Sequence, residues 1–182
     1  MSYLNNFISK SGKEIIFRYP KIDDVQILKD YINKISNEKT YILYQGEQQT
    51  LESETAWLKN KLDKISNDEC VYICAFFKDR LIGSSEITLL DKVKSHIGSF
   101  GITIHSDFRQ EGIGHKLMEL VISESIKNIP NLKIIDLEVF GNNPNAFNLY
   151  KKLGFVEYGR LPGGINHQGK FVDTVLMYKK VK

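Results

Sequence analysis

The sequence predicts an α/β (α+β) domain with a mixed, mostly antiparallel central sheet of about seven strands. Two observations carry this reading. Seven β-like runs and four runs of helical apolar spacing follow one another as β-α-α-β-β-β-α-β-α-β-β. Short hairpin-like connections dominate the first half, whereas a single strand–helix–strand unit after residue 97 requires one parallel pair.

The first strand is EIIFRY, Glu14 to Tyr19. A helix entrance follows at Ile22–Ile27, where Asp23 is the expected cap, Gln26 closes a capping box, and Ile22 and Ile27 form the staple. Val25, Leu28, Ile32 and Ile35 supply its apolar stripe. A polar stretch around Tyr44–Gln49 leads to a second helix from about Thr50, with Leu51, Leu58, Leu62 and Ile65 on one side. Strands 71–77 and 81–90 flank Lys78-Asp79-Arg80, a hairpin spacing. Strand 97–104 precedes a glycine-containing turn and a helix that Pro130 ends. KIIDLEVF is a strand, and 143–153 a helix closed by Gly154. Two final strands cover 155–161 and 171–178, with Gly163-Gly164 and His167–Lys170 as turns.

A chain of 182 residues suits one domain, 1–182, with a sizeable core. Its 42% hydrophobic and 26% charged residues exclude a disordered polymer. A formal charge of +3 is too small to argue for nucleic acid, which would require a basic stripe with aromatics. No apolar run approaches 18 residues, so no membrane partner is expected, and the N-terminus lacks the apolar core of a signal peptide. Cys70 and Cys74 stand four apart on one strand, roughly 13 Å, beyond the reach of a mutual disulfide. Buried free thiols fit a reducing cytoplasm.

The chemistry centres on RQEGIGHKL, Arg109 to Leu117. A helix N-terminus exposes unpaired N–H groups at the positive end of its dipole, and glycine lets a phosphate approach the backbone. A plain turn with no ligand is the bland alternative. Leu117 occupies the place of the third glycine in a dinucleotide fingerprint, and no Gly-Lys-Ser/Thr follows, so neither the Rossmann nor the Walker motif applies.

The spacing R-x-x-G-x-G between strand and helix, read in GITIHSDFRQEGIGHKL, resembles the pyrophosphate motif of the GNAT superfamily of N-acetyltransferases. A second segment, LEVFGNNPNAFNLYKKLGF, resembles the family's later motif through Asn143, Ala146, Leu149, Tyr150, Gly154 and Phe155. The element order is also the family's, so the resemblance covers nearly the whole chain and implies helices on both faces of the sheet.

The resemblance implies acetyl-coenzyme A as cosubstrate and no metal. Its pyrophosphate would lie on the backbone of Arg109, Gln110, Glu111, Gly112, Ile113 and Gly114. Ile102, Thr103 and Ile104 would pair with the pantetheine arm as an added strand. Asn143 would bond the arm, and Tyr150 would reprotonate the departing thiolate. Tyr150 also belongs to an Ala146, Leu149, Tyr150, Leu153 face, which is the pattern of a core residue. The reaction is a direct attack of an amine on the thioester, with a tetrahedral oxyanion that a backbone N–H can stabilise.

The general base stays open. Several members of the family carry it on the strand before the glycine motif, yet Gly98, Phe100 and Ile102 at that parity cannot take a proton. Glu86 is favoured; Glu138, His96 and an ordered water are the alternatives. The closing G-x-F-x-D-x-x-x-M pattern (Gly169, Phe171, Asp173, Met177) resembles family branches acting on amino acids, polyamines or other small amines. Asp173 also suits a purely structural place in the closing hairpin. Acceptor pockets in the family are lined by the first two helices, their connection and the final hairpin; here the connection offers Tyr41, Tyr44, Glu47 and Gln48. Glu47 could attract a cation, and Trp57 is expected to be packed. A small-molecule amine is therefore the expected acceptor, with a protein or ribosomal N-terminus, or a catalytically silent coenzyme-A-binding module, as alternatives. A homodimer is a further possibility that the family raises.

Overall fold

The computed structural model describes residues 3–181. Among them are eight strands and four α-helices: β1 Tyr3–Ile8, β2 Glu14–Arg18, α1 Val25–Asn37, α2 Leu51–Ser66, β3 Cys70–Phe77, β4 Arg80–Leu89, β5 Ile97–Ile104, α3 Ile113–Asn128, β6 Ile134–Phe140, α4 Pro144–Lys152, β7 Val156–His167 and β8 Lys170–Lys180. The strands are mostly antiparallel, and β5–β6 is the parallel pair. The chain forms two compact units, one of residues up to Thr88 with Gly101–Pro130, the other of Leu89–Phe100 with residues from Asn131 on. β5 contributes its first half to the second unit and its second half to the first.

In the first unit the strands run in the order β1, β2, β3, β4 and the end of β5. β3 explains why helices cover both faces. Its sequence CVYICAFF is apolar at every position, so neither face can meet water, and the first seven residues are buried. Cys70, Tyr72, Cys74 and Phe76 pack with Leu28, Tyr31, Ile35 and Leu58 of α1 and α2. α3 packs against β3 too and buries Ile113, Leu117, Met118, Val121 and Ile122. Both cysteines are free and buried, and burial pushes the Cys70 thiol up to about 11.

The second unit orders its strands as β5, β6, β8, β7. The parallel ladder is short: Ile97–Ile134, Gly98–Ile135 and Ser99–Asp136. β6 by contrast pairs with β8 over its whole length. Gly141 lies so close to β8 that an added Cβ would stand 3.0 Å from the Asp173 Cβ and 3.1 Å from its carbonyl oxygen. Pro144 opens α4 and Gly154 closes it with φ +85°.

Four expectations need correction. A strand precedes the expected first one: β1 pairs antiparallel with β2 although two asparagines interrupt the apolar run in YLNNFI. Asp24, not Asp23, accepts the Lys21 N–H (2.7 Å) and ion-pairs with Arg18 (2.7 Å), while Ile22 and Ile27 are exposed. On α2, Leu51 is exposed and the buried positions are Glu54, Leu58 and Lys61. Gly163-Gly164 is no hairpin turn. It is an irregularity inside β7, where the register against β8 shifts between Leu161 and Ile165, and the Gly163 N–H donates to the Asp173 carboxylate (3.2 Å). The chain reverses only at Gln168-Gly169, both with positive φ.

Candidate active site

The turn after β5 is built for an anion. Gln110 and Gly112 have φ of +64° and +83°, and Gly112 caps α3 in the left-handed region. Such alternation turns successive N–H groups to one side. Among the described residues, the backbone N–H groups of Gln110, Glu111, Gly112, Ile113 and Gly114 donate to no protein acceptor. The first intrahelical bond there is Lys116 N–H to Gly112 C=O (3.1 Å). Five orphan donors at the positive end of a 16-residue helix fit a phosphate group.

The side chains around the turn brace it. The Arg109 Nε–H donates to the Ile104 carbonyl (2.8 Å), and its guanidinium pairs with Glu38 of the α1 end, which also accepts the Ser106 N–H (3.2 Å). The β1–β2 hairpin supports the other side. Ser11 N–H donates to the Glu111 carboxylate (2.9 Å), holding that carboxyl below its usual range, and Lys13 lies 3.6 Å from it. Phe7 of β1 sits under Gly112, its ring 3.3 Å from where a Cβ would stand. The sequence does not announce this support, because YLNNFI carries two central asparagines and becomes a strand through its pairing with β2.

Upstream, the second half of β5 lies beyond the ladder with β6, which ends at Ser99. Gly101, Ile102 and Thr103 line a cavity of about 230 Å³, small for a ligand site. Its other walls are Leu28, Tyr31 and Ile32 of α1, Tyr44 and Gln49 of the connection, Glu54 and Trp57 of α2, Tyr72 of β3, and Ser84, Ser85 and Glu86 of β4. A hydroxyl chain runs along one side: Tyr31 to Thr103 (2.9 Å) and Thr103 to Ser84 (3.2 Å). Trp57 meets Tyr72 edge-on at 5.4 Å yet stays partly exposed at the cavity, rather than fully packed as expected.

Two carboxylates reach this cavity, in different states. Glu86 is ion-paired to Lys61 and accepts from the Thr88 hydroxyl (3.0 Å); Lys61 is itself buried and donates to Thr88 (3.2 Å). Glu54 is 6% exposed, and although its N–H donates to the Thr50 carbonyl (3.1 Å), its carboxylate has no hydrogen bond or ion pair among the described residues. Burial alone pushes its carboxyl above the ordinary range. Glu54 was not singled out from the sequence, although its i, i+4, i+7 spacing with Leu58 and Lys61 places all three on one helical face. Of the other expected residues, Glu138 and His96 are exposed, and Tyr41, Glu47 and Gln48 do not line the cavity. The Gln45 N–H occupies the Glu47 carboxylate.

In the second unit, Tyr150 is buried, with Phe100 and Phe155 rings each 6.0 Å away. Its hydroxyl has no hydrogen-bond partner among the described residues, and burial pushes its pKa up to about 12. Asn143 caps α4, its Oδ1 accepting the Ala146 N–H (3.2 Å). Asp173 is held by Arg160 (3.2 Å) and the Gly163 N–H, a structural place.

This geometry has known relatives. The model of the "Acetyltransferase (GNAT) family" matches residues 31–155. The chain belongs to the GNAT acetyltransferase family. It is 31% identical over 150 residues, 82% of this chain and 84% of the other, to an N-alpha-acetyltransferase of Sulfurisphaera tokodaii. Over 84 residues, 46% of this chain and 51% of the relative, it is 33% identical to the L-amino acid N-acetyltransferase AaaT of Escherichia coli. A GNAT-family acetyltransferase structure from Streptococcus pneumoniae superposes with a TM-score of 0.84 at 27% identity, covering 92% of this chain and 99% of that one. This acetyltransferase therefore has the family's mixed sheet, and its glycine turn lies within the matched residues.

Proposed function

We propose that this acetyltransferase moves the acetyl group of acetyl-coenzyme A to a primary amine of a small molecule. One observation carries the reading: the same three β5 residues, Gly101–Thr103, line the cavity and continue within a few residues into the turn with five orphan N–H groups. A donor held by its pyrophosphate on Gln110–Gly114 has its arm directed along Ile102, Thr103 and Ile104, and its thioester meets whatever occupies the cavity.

Roles follow from chemistry. The turn's N–H groups and the helix dipole bind the pyrophosphate. The β5 backbone orients the arm as an added strand, and Asn143 Nδ2, which has no acceptor among the described residues, donates to it. A backbone N–H of β5 stabilises the tetrahedral oxyanion. Glu86, its carboxylate fixed by Lys61 and Thr88, takes the ammonium proton, directly or through water. Tyr150, protonated at all physiological pH values, donates to the leaving sulfur.

The small volume favours a small acceptor over an extended peptide. The N-alpha-acetyltransferase relative favours the alternative, a protein N-terminus. Incubation with acetyl-coenzyme A and a panel of amines and peptides, following free thiol and product mass, decides between them. Small amines alone should be acetylated; a preference for peptide N-termini would refute the small-molecule reading.

A further inference from the structure

We propose that Glu54 is the specificity residue of the acceptor cavity, and that it selects amines whose cation is not accompanied by a carboxylate. The proposal rests on the small-amine reading and narrows it.

The cavity walls carry two carboxylates, Glu54 and Glu86, and no cationic residue. The neighbouring cation, Lys61, is committed to Glu86 and Thr88. Glu86 and Lys61 cancel, which leaves one uncompensated negative charge at Glu54. The Glu54 carboxylate lines the cavity with no partner among the described residues, its charge is disfavoured by the surrounding burial, and an arriving ammonium supplies donors to it. Tyr31, Tyr44, Trp57 and Tyr72 surround the space with aromatic rings, which suit the hydrocarbon part of such an amine and add cation–π attraction.

A zwitterionic α-amino acid fits this arrangement poorly. Its ammonium would satisfy Glu54, but its carboxylate would enter an apolar and acidic space with no guanidinium or ammonium among the lining residues to receive it. Like charges brought together there are disfavoured. Decarboxylated amines and diamines carry no such group. The acceptor class is thus a cationic amine, aromatic or aliphatic, without an adjacent carboxylate.

Matched pairs test this: tyramine and tyrosine, phenethylamine and phenylalanine, 1,4-diaminobutane and ornithine. Calorimetry on the protein saturated with coenzyme A reads binding without requiring turnover, and acetyl transfer from acetyl-coenzyme A is measured in parallel. In at least one pair the amine should bind at least tenfold more tightly than its amino acid, and Glu54→Gln should abolish that difference. Glu54→Asp should retain part of it, and both variants should bind coenzyme A as the parent does. Equal or tighter binding of the amino acids throughout, or an amine preference that survives Glu54→Gln, would overturn the proposal. Binding that follows the predicted pattern without acetyl transfer would uphold Glu54 and refute the small-amine acetylation reading instead.

Discussion

Replacing Gly112 by two isosteric residues separates backbone strain from charge at the phosphate turn. With φ at +83°, any side chain there adopts the left-handed region, and its Cβ meets the Phe7 ring at 3.3 Å. Asn and Asp tolerate that region better than most residues and share one shape, so their strain, about 1–2 kcal/mol, is common to both. For a chain of this size about 1 kcal/mol corresponds to roughly 2–4 °C in Tm, so both variants should melt about 2–8 °C below the parent. They differ in charge. A carboxylate about 4–6 Å from a pyrophosphate charge is repelled by roughly 3–4 kcal/mol at an effective dielectric near 20. That corresponds to about 100- to 1000-fold in Kd. Gly112→Asp should therefore lose coenzyme A binding, by calorimetry at low salt, while Gly112→Asn loses little beyond the shared strain. Raising the salt should narrow the gap. Equal affinities of the Asn and Asp variants, within threefold, would place the pyrophosphate elsewhere.

Three further outcomes are expected. Tyr150→Phe should lower kcat by at least about tenfold with KM for acetyl-coenzyme A unchanged; unaltered turnover would return Tyr150 to a packing role between Phe100 and Phe155. Glu54→Gln should raise Tm at pH 7. The folded carboxyl has a raised pKa, so the fold binds more protons than the unfolded chain, and stability falls as pH rises from the unfolded value through the folded one. The gain should vanish below pH ~4, near the ordinary glutamate value; a pH-independent gain would refute the burial argument. Gly141→Ala should cost about 1–3 kcal/mol by overpacking, because both the side chain and the backbone of Asp173 stand in the way, and thermal melts read it. A neutral result would mean that β8 yields freely.

The turn and the closing helix were legible because their physics is local. Gly112 and Gly114 between an apolar strand and an amphipathic run, and Asn143-Pro144 with Gly154, announce a phosphate-competent helix start and a capped helix without any tertiary information. The buried strand β3 was equally plain, since eight apolar residues in succession need cover on both faces. Other features depend on partners far away in the chain. β1 mixes polar and apolar residues, and its strand character comes from pairing with β2. Glu54 reads as an ordinary solvated glutamate until α2 turns it inward beside Leu58, because Leu51, the more apolar candidate, ends up exposed. Gly163-Gly164 has turn chemistry, but Asp173 across the ladder captures the Gly163 N–H and the strand resumes. Arg109 matches a motif, and only the structure reveals that its guanidinium is spent on Ile104 and Glu38.

The central claim is that β5 joins a coenzyme A turn to a cavity for a small amine. Acetyl-coenzyme A incubated with the protein and a mixed panel of small amines and peptides tests it most directly, with free thiol and acetylated products quantified together. The account predicts thiol release equal to the yield of N-acetylated small amines, and no acetylated peptide. Peptide products in place of amine products, or no cofactor turnover with any acceptor, would contradict it.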